Sequence, residues 1–536
     1  MTHPDPTDLP DPLDPFDTAG LRRVVLAGWA ASGARFREDA NAEDLLAAGG
    51  YAGRALVELA ANGVDAARDA DVPARLRIRL IDGELRVANT GAPLTAAGVA
   101  GLASLRASAK RDSAGSIGFF GVGFTAVLSW TQAPRVISTT GGIRFDAEAT
   151  RDAVRGLSAH LDAELERRGG HVPVLRLPWP ADPEQEPPPP GFSTEVRLPL
   201  TGPARAEVGA LLADPDTAPD LLWALPDLNE IDLPDRVVTR SAGPDGTVVI
   251  DDGGRRTGYR VITRSGEVPA ALLAARPVEQ RGRTRWSVHW IRPLDGPTPD
   301  PLDVLSGTDA GGSCIGAPTP TDEPLSLPAR LVATLPVDDT RRRLAPGPLC
   351  DYLLERAADA YLDLVQAQDP AQRWRLLPTA GFPAGPVDAA LRAAIVRRAE
   401  ATPLLHTAAG DLVTPGQACV LPVVDADGAA AIGQAVPGLL PPLPPAALAG
   451  LRPLGTATLT WSQVSAALAG LDRPPAFWRE IYRAAAAADP RPRPDDLADI
   501  PVPLVGGRRA VGARGCLVLT ELSDGASGIG SDLARR

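Results

Sequence analysis

From Ala74 to Ala88 the chain reads Ala-Arg-Leu-Arg-Ile-Arg-Leu-Ile-Asp-Gly-Glu-Leu-Arg-Val-Ala, and this stretch constrains the fold more than any other. Leu76, Ile78 and Leu80 alternate with Arg75, Arg77 and Arg79, so a strand here has one apolar and one cationic face. Asp82-Gly83 supplies a two-residue turn, because both positions tolerate positive φ, and the chain returns antiparallel. Just upstream, Glu58-Leu59-Ala60-Ala61-Asn62-Gly63-Val64-Asp65-Ala66 places Glu58, Asn62 and Asp65 at spacings of four and three, one stripe of a helix. Leu56, Leu59, Ala60 and Ala67 lie elsewhere around that helix and can face a core. The polar stripe is either solvated or turned toward a polar site.

The return strand ends at Asn89-Thr90-Gly91-Ala92-Pro93-Leu94, a short loop of hydrogen-bond acceptors and glycine. Further on comes Ser116-Ile117-Gly118-Phe119-Phe120-Gly121-Val122-Gly123-Phe124, followed by an apolar run to Leu128. Its glycines allow close backbone approach to a ligand, and the apolar run reads as a helix whose free amides would attract phosphate.

These three ordered segments resemble the nucleotide-binding motifs of the GHKL superfamily of ATPases (gyrase, heat-shock chaperone, histidine kinase, mismatch repair). The Phe-Gly-Val-Gly-Phe form is most similar to the ninety-kilodalton heat-shock chaperones and to the sacsin-like N-terminal ATP-binding domain. The resemblance implies a Bergerat-type α/β sandwich that binds ATP and Mg2+. It makes Glu58 the general base for the attacking water and Asn62 the magnesium ligand, with Asp65 supporting the site. Gly118, Gly121, Val122, Gly123 and Phe124 become the phosphate loop. Asn89 falls where the family has an aspartate that accepts the adenine amino group, with Gly91 beside the ring; an amide oxygen still accepts that bond but carries no charge. Lys110, the one lysine in an arginine-rich chain, stands where the family contacts phosphate. Thr194, in Phe192-Ser193-Thr194-Glu195-Val196, matches a threonine beneath the adenine, although threonine is also simply a good strand former.

A length of 536 residues suggests about three domains. The net charge of −12 argues against a nucleic-acid partner held by general electrostatics. Cys314, Cys350, Cys419 and Cys516 are widely separated, which indicates neither a zinc site nor a disulfide framework. No apolar run approaches a membrane span and no signal peptide is evident, so a cytoplasmic location is expected.

The expected layout begins with an acidic, proline-rich, unfolded lead over residues 1–18 and the ATP-binding domain over 19–203. Strands are expected at Arg135–Ser138, Ile143–Phe145, Val174–Leu177 and Thr194–Leu200. A mixed α/β middle domain over 204–350 follows, with a hairpin about Asp251-Asp252-Gly253-Gly254. After its last strand comes Asp338-Asp339-Thr340-Arg341-Arg342-Arg343. Such a run reads as a solvated turn, while the resemblance implies that Arg342 or Arg343 reaches the γ-phosphate. Residues 351–536 read as an α+β region with two small repeated β units, at about 403–421 and 502–519.

The expected function is a slow Mg-dependent ATPase acting as a chaperone-like conformational switch, with a protein client or partner on the repeats. The family resemblance also makes a homodimer an expectation. The alternative is a scaffold gated by nucleotide that does not hydrolyse it.

Overall fold

The computed structural model describes residues 13–48, 54–104, 123–276, 281–282, 284–294, 314–317, 319–338, 342–378, 381–422, 424–504 and 508–512. Lys110, Gly118, Gly121, Val122, Arg341 and Cys516 lie outside these. The chain is a mixed α/β protein that divides into two bodies, the second made mainly of residues from Ala357 onward.

The first body is built on one 14-stranded sheet. Its strands are β1 (Ala74–Ile81), β2 (Glu84–Asn89), β3 (Arg135–Ser138), β4 (Gly141–Arg144), β5 (Trp179–Pro180), β6 (Thr194–Pro199) and β7 (Leu228–Asp232). They continue as β8 (Val237–Ala242), β9 (Thr247–Asp252), β10 (Arg255–Glu267), β11 (Arg285–Pro293), β12 (Cys314–Ala317), β13 (Thr319–Pro324) and β14 (Arg330–Ala333). The order is β13-β12-β14-β11-β10-β9-β8-β7-β1-β2-β6-β3-β4-β5. Neighbours are antiparallel except β1 with β7 and β12 with β14. The boundary expected near 203 is crossed by strand pairing, since Ala74–Arg77 of β1 lies against Leu228–Asp232 of β7. One apolar core runs from Phe16 through Ile231 to Val332.

The β1–β2 hairpin forms as its alternation requires. Asp82 and Gly83 both take positive φ, at 51° and 82°. Leu76, Ile78, Leu85 and Val87 are buried under α3 (Arg54–Asp69). The opposite face carries a row of arginines in direct register across five strands: Arg79, Arg86, Arg197, Arg135 and Arg144. Like charges placed opposite one another repel, and interleaved carboxylates offset this. Arg79 binds Asp232 at 2.7 Å, Arg86 and Arg135 share Glu84, and Arg197 binds Glu195 at 2.6 Å. Arg197 also donates to Gln185 Oε1 at 3.0 Å and to the Glu186 carbonyl at 2.7 Å, holding the proline-rich insertion to this face.

Three expectations are corrected. The acidic lead is folded by residue 14, because the Asp14 carboxylate accepts from the Thr18 and Ala19 amides at 2.9 Å and Phe16 is buried in the core. The α1 helix (Thr18–Ala31) starts there, followed by α2 (Gly33–Ala48). The run after Gly123 is a 3-10 helix, Phe124–Ser129, rather than an α-helix. Residues Val174–Leu177 form no strand. Their apolar side chains are buried, but the Val174 and Leu175 amides are claimed by the Glu43 carboxylate of α2, the latter at 2.8 Å.

The second body packs helices Ala426–Gly433, Trp461–Leu468 and Pro475–Ala487 around Ile432, Val464, Trp478 and Ile481. Both expected repeats begin with a small hairpin: Leu405–His406 against Leu412–Val413, and Pro501–Pro503 against Arg509–Val511. In the first repeat the chain continues to Cys419–Val420, which pairs in parallel with Ala457–Thr458. Among the described residues no helix is long and apolar enough to cross a membrane.

Burial pushes the Glu43 carboxyl up to about 7, against the opposing effect of its two backbone donors. A carboxyl whose pKa is raised on folding stabilises the fold in its protonated form, fully below its unfolded pKa, and that contribution is lost as pH rises through the folded pKa. Between about pH 4.5 and 7 this loss is about 2–3 kcal/mol. Denaturant melts of the wild type and of Glu43→Gln at pH 5 and pH 8 should show a decline in stability toward pH 8 that the variant largely lacks.

Candidate functional site

The α3 helix stands unusually close to the hairpin beneath it, and two glycines make this possible. A Cβ on Gly63 would lie 2.9 Å from both Asn89 Cβ and Leu76 Cδ2. Gly91, at φ 115°, abuts the α3 backbone so closely that a Cβ would come within 2.3 Å of the Ala66 carbonyl carbon. The Ala92 amide then donates to the Ala66 carbonyl at 2.8 Å. The loop after β2 is thereby bonded to the helix, and a cavity of about 220 Å³ opens beside the joint.

From α3, Leu59, Asn62, Ala66 and Asp69 line this cavity, at helical spacings of three, four and three. From the sheet come Asn89 and Thr194, direct register partners on β2 and β6. The mouth is formed by Thr95, Ala97 and Gly98 at the start of α4 (Ala96–Leu102), and Phe124 and Val136 close the apolar side. The Asn89 Nδ2 donates to the Thr90 carbonyl at 2.9 Å, leaving its Oδ1 as the acceptor end of the amide. Ser138, next to Thr194 on β3, lies 3.1 Å from the Thr194 hydroxyl, donates to the Ser193 carbonyl and accepts from the Leu94 amide at 2.9 Å. These bonds fix the cavity floor before any ligand arrives.

Asn62 Oδ1 is buried and has no hydrogen-bond partner among the described residues. An orphaned acceptor costs about 1–3 kcal/mol, and Asn62 is one of the residues lining the cavity, so this amide is a candidate contact for a ligand or cation. One turn earlier, Glu58 is only 3% exposed. Its Oε2 would lie 2.2 Å from a Cβ on Gly123, so the last glycine of the loop seats directly on the carboxylate. Its Oε1 lies 3.9 Å from Nε of Arg54, which is equally buried. Asp65 is 1% exposed and lies 3.2 Å from Arg68.

The structure thus brings Asn62, Asn89, Thr194 and Phe124 to one cavity. Gly91 sits at its joint with α3, while Glu58 and Gly123 stand together one turn away, outside its lining. Arg342 and Arg343 are elsewhere. Arg342 binds Asp322 at 2.8 Å on the turn after β14, which stands six strand steps from β1 in the sheet, and it does not line the cavity. Arg343 is exposed beside it. Among the described residues the arginine paired with the Glu58 carboxylate is Arg54, whose position four residues ahead of Glu58 is a detectable helical ion-pair spacing. Asp69, the last cavity residue of α3, follows the same periodicity.

Among the described residues, no three His, Cys, Asp or Glu side chains converge as a metal site. The chain matches no protein-family model and no curated protein at a significant level.

Replacing Gly91 tests the joint. Gly91→Ala adds both the strain of positive φ and a clash with the Ala66 backbone, and should lower unfolding free energy by about 3 kcal/mol. Gly156, at φ 77° with nothing within 4 Å of its Cβ position, is the control: Gly156→Ala should cost only about 1 kcal/mol. Urea titrations of the two variants check the difference.

Proposed function

We propose that the cavity beside α3 binds ATP with magnesium and that the protein is a GHKL-type, Bergerat-fold nucleotide switch with slow hydrolysis. The observation that carries this reading is Asn62, a residue of the cavity lining whose buried Oδ1 has no hydrogen-bond partner among the described residues, with Glu58 one helical turn away beneath Gly123. Magnesium takes hard oxygen ligands, usually one or two from protein and the rest from phosphates and water. A lone amide oxygen at this position fits that habit, and no cluster of protein ligands is needed. When bound, the ion would neutralise phosphate charge. The chain's own residues supply the remainder: Asn89 Oδ1 accepts from an exocyclic amino group, the Phe124–Val136 side packs a flat base, and Glu58 accepts a hydrogen bond from a water.

A second reading has its own support. Glu58 is engaged by Arg54, is covered by Gly123 and does not line the cavity, which favours a nucleotide-gated scaffold without useful turnover. In either case the small hairpins of the second body are the proposed seat of a protein client.

Calorimetric titration beside a phosphate-release assay separates these readings. Asn62→Ala should weaken ATP affinity at least tenfold in magnesium and much less in EDTA. Glu58→Gln, which keeps the side-chain shape against Gly123, should bind ATP like the wild type and lose hydrolysis. Binding with no phosphate release in the wild type selects the scaffold, and absence of any nucleotide heat in the wild type rejects both.

A further inference from the structure

At the C-terminal end of α3, Arg68 holds two carboxylates, one from its own helix and one from the segment that leads into β7. Its Nη1 lies 3.2 Å from Asp65 Oδ1, and its Nη2 lies 2.6 Å from Asp227 Oδ2. Asp65 is buried at 1% exposure, one turn after Asn62 and one turn before Asp69, the polar α3 residues that line the cavity. Asp227 immediately precedes β7, the strand that joins β1 in parallel. The same β7 is pinned again along its length: Ala74 donates to Asn229 Oδ1 at 3.2 Å, and Arg77 and Arg79 bind Asp232 at 2.7 Å. Of these ties, the one from Arg68 runs to the helix rather than to β1.

We infer that Arg68 is a positioning residue for the cavity. It offsets the buried charge of Asp65 beneath a site meant for a polyanion, and it anchors the α3 turn carrying Asn62 and Asp69 to β7. Both effects act through Asp65 and Asp227, and Arg68 itself touches no ligand. The planar guanidinium suits this task because it presents separate N–H groups to two carboxylates at once, which a single ammonium does less well. Loss of Arg68 removes the cation 3.2 Å from the Asp65 carboxylate, within one turn of Asn62, and this raises the cost of bringing phosphate and its cation to that residue. The inference rests on the nucleotide reading above.

The test is titration of full-length wild type, Arg68→Ala, Arg68→Lys and Asp227→Asn with ATP, in magnesium and in EDTA, well below each variant's melting temperature. Arg68→Ala should weaken affinity at least tenfold in magnesium and remove most of the gain that magnesium gives the wild type. Arg68→Lys should recover part of that gain by restoring charge beside Asp65. Asp227→Asn should weaken affinity three- to fivefold, and an Arg68→Ala, Asp227→Asn double variant should be no weaker than Arg68→Ala alone. If the variants melt lower but bind ATP with wild-type affinity and magnesium response, Arg68 is only structural and the inference is overturned. If wild type binds no nucleotide, the nucleotide reading fails first, and the inference falls with it.

Discussion

The close contact between α3 and the β1–β2 hairpin is the constraint on which the first body depends. Helices usually stand off a sheet by the thickness of two side-chain layers, and here Gly63 and Gly91 remove that thickness at two points. The backbone of the loop after β2 then bonds directly to the helix through Ala92 and Ala66. Because Asn89 lies between these contacts, its amide is set relative to Asn62 by main-chain geometry and not by flexible packing. The cavity is therefore a by-product of how helix and hairpin are joined, and its polar residues are held by the same contacts that stabilise the fold.

The two faces of the sheet obey different physics. On the α3 side, Leu76, Asn89, Thr194 and Ser138 form one row across four strands, apolar at one end and hydroxyl-bearing at the other. On the reverse side the arginine row is held by interleaved carboxylates, and most of its members are partly exposed. Ion pairs so exposed add little stability individually; their role is to make five adjacent cations tolerable. The proline-rich insertion is bound there through Arg197, and Phe192 stacks under Arg77 at 4.9 Å.

What could be read from the amino-acid sequence followed from short-range physics. The alternation about Arg77, the Asp82-Gly83 turn, the hairpin at Asp251-Asp252-Gly253-Gly254 and the helix bearing Glu58 all express a local period or a local φ requirement, and they form as expected. What escaped depends on partners far along the chain. Val174–Leu177 has the apolar composition of a strand, yet Glu43, more than a hundred residues earlier, takes its amides. Arg342 follows a real strand, but its distance from α3 is set by the order of strands in the sheet, which no local pattern encodes. Arg54 is legible as an i, i+4 partner of Glu58, a local spacing that the helix realises. Lys110 and the glycines before Gly123 lie outside the described residues.

The parallel pairing of Ala74–Arg77 with Leu228–Asp232 has a consequence for how the chain can be divided. Cut after β6, the polypeptide would present the outer margin of β1 as bare amide and carbonyl groups, a template on which other chains assemble. The half that holds the cavity thus has this margin covered by residues that take no part in the cavity. Any ancestor that carried that half alone would have needed another cover for the same margin.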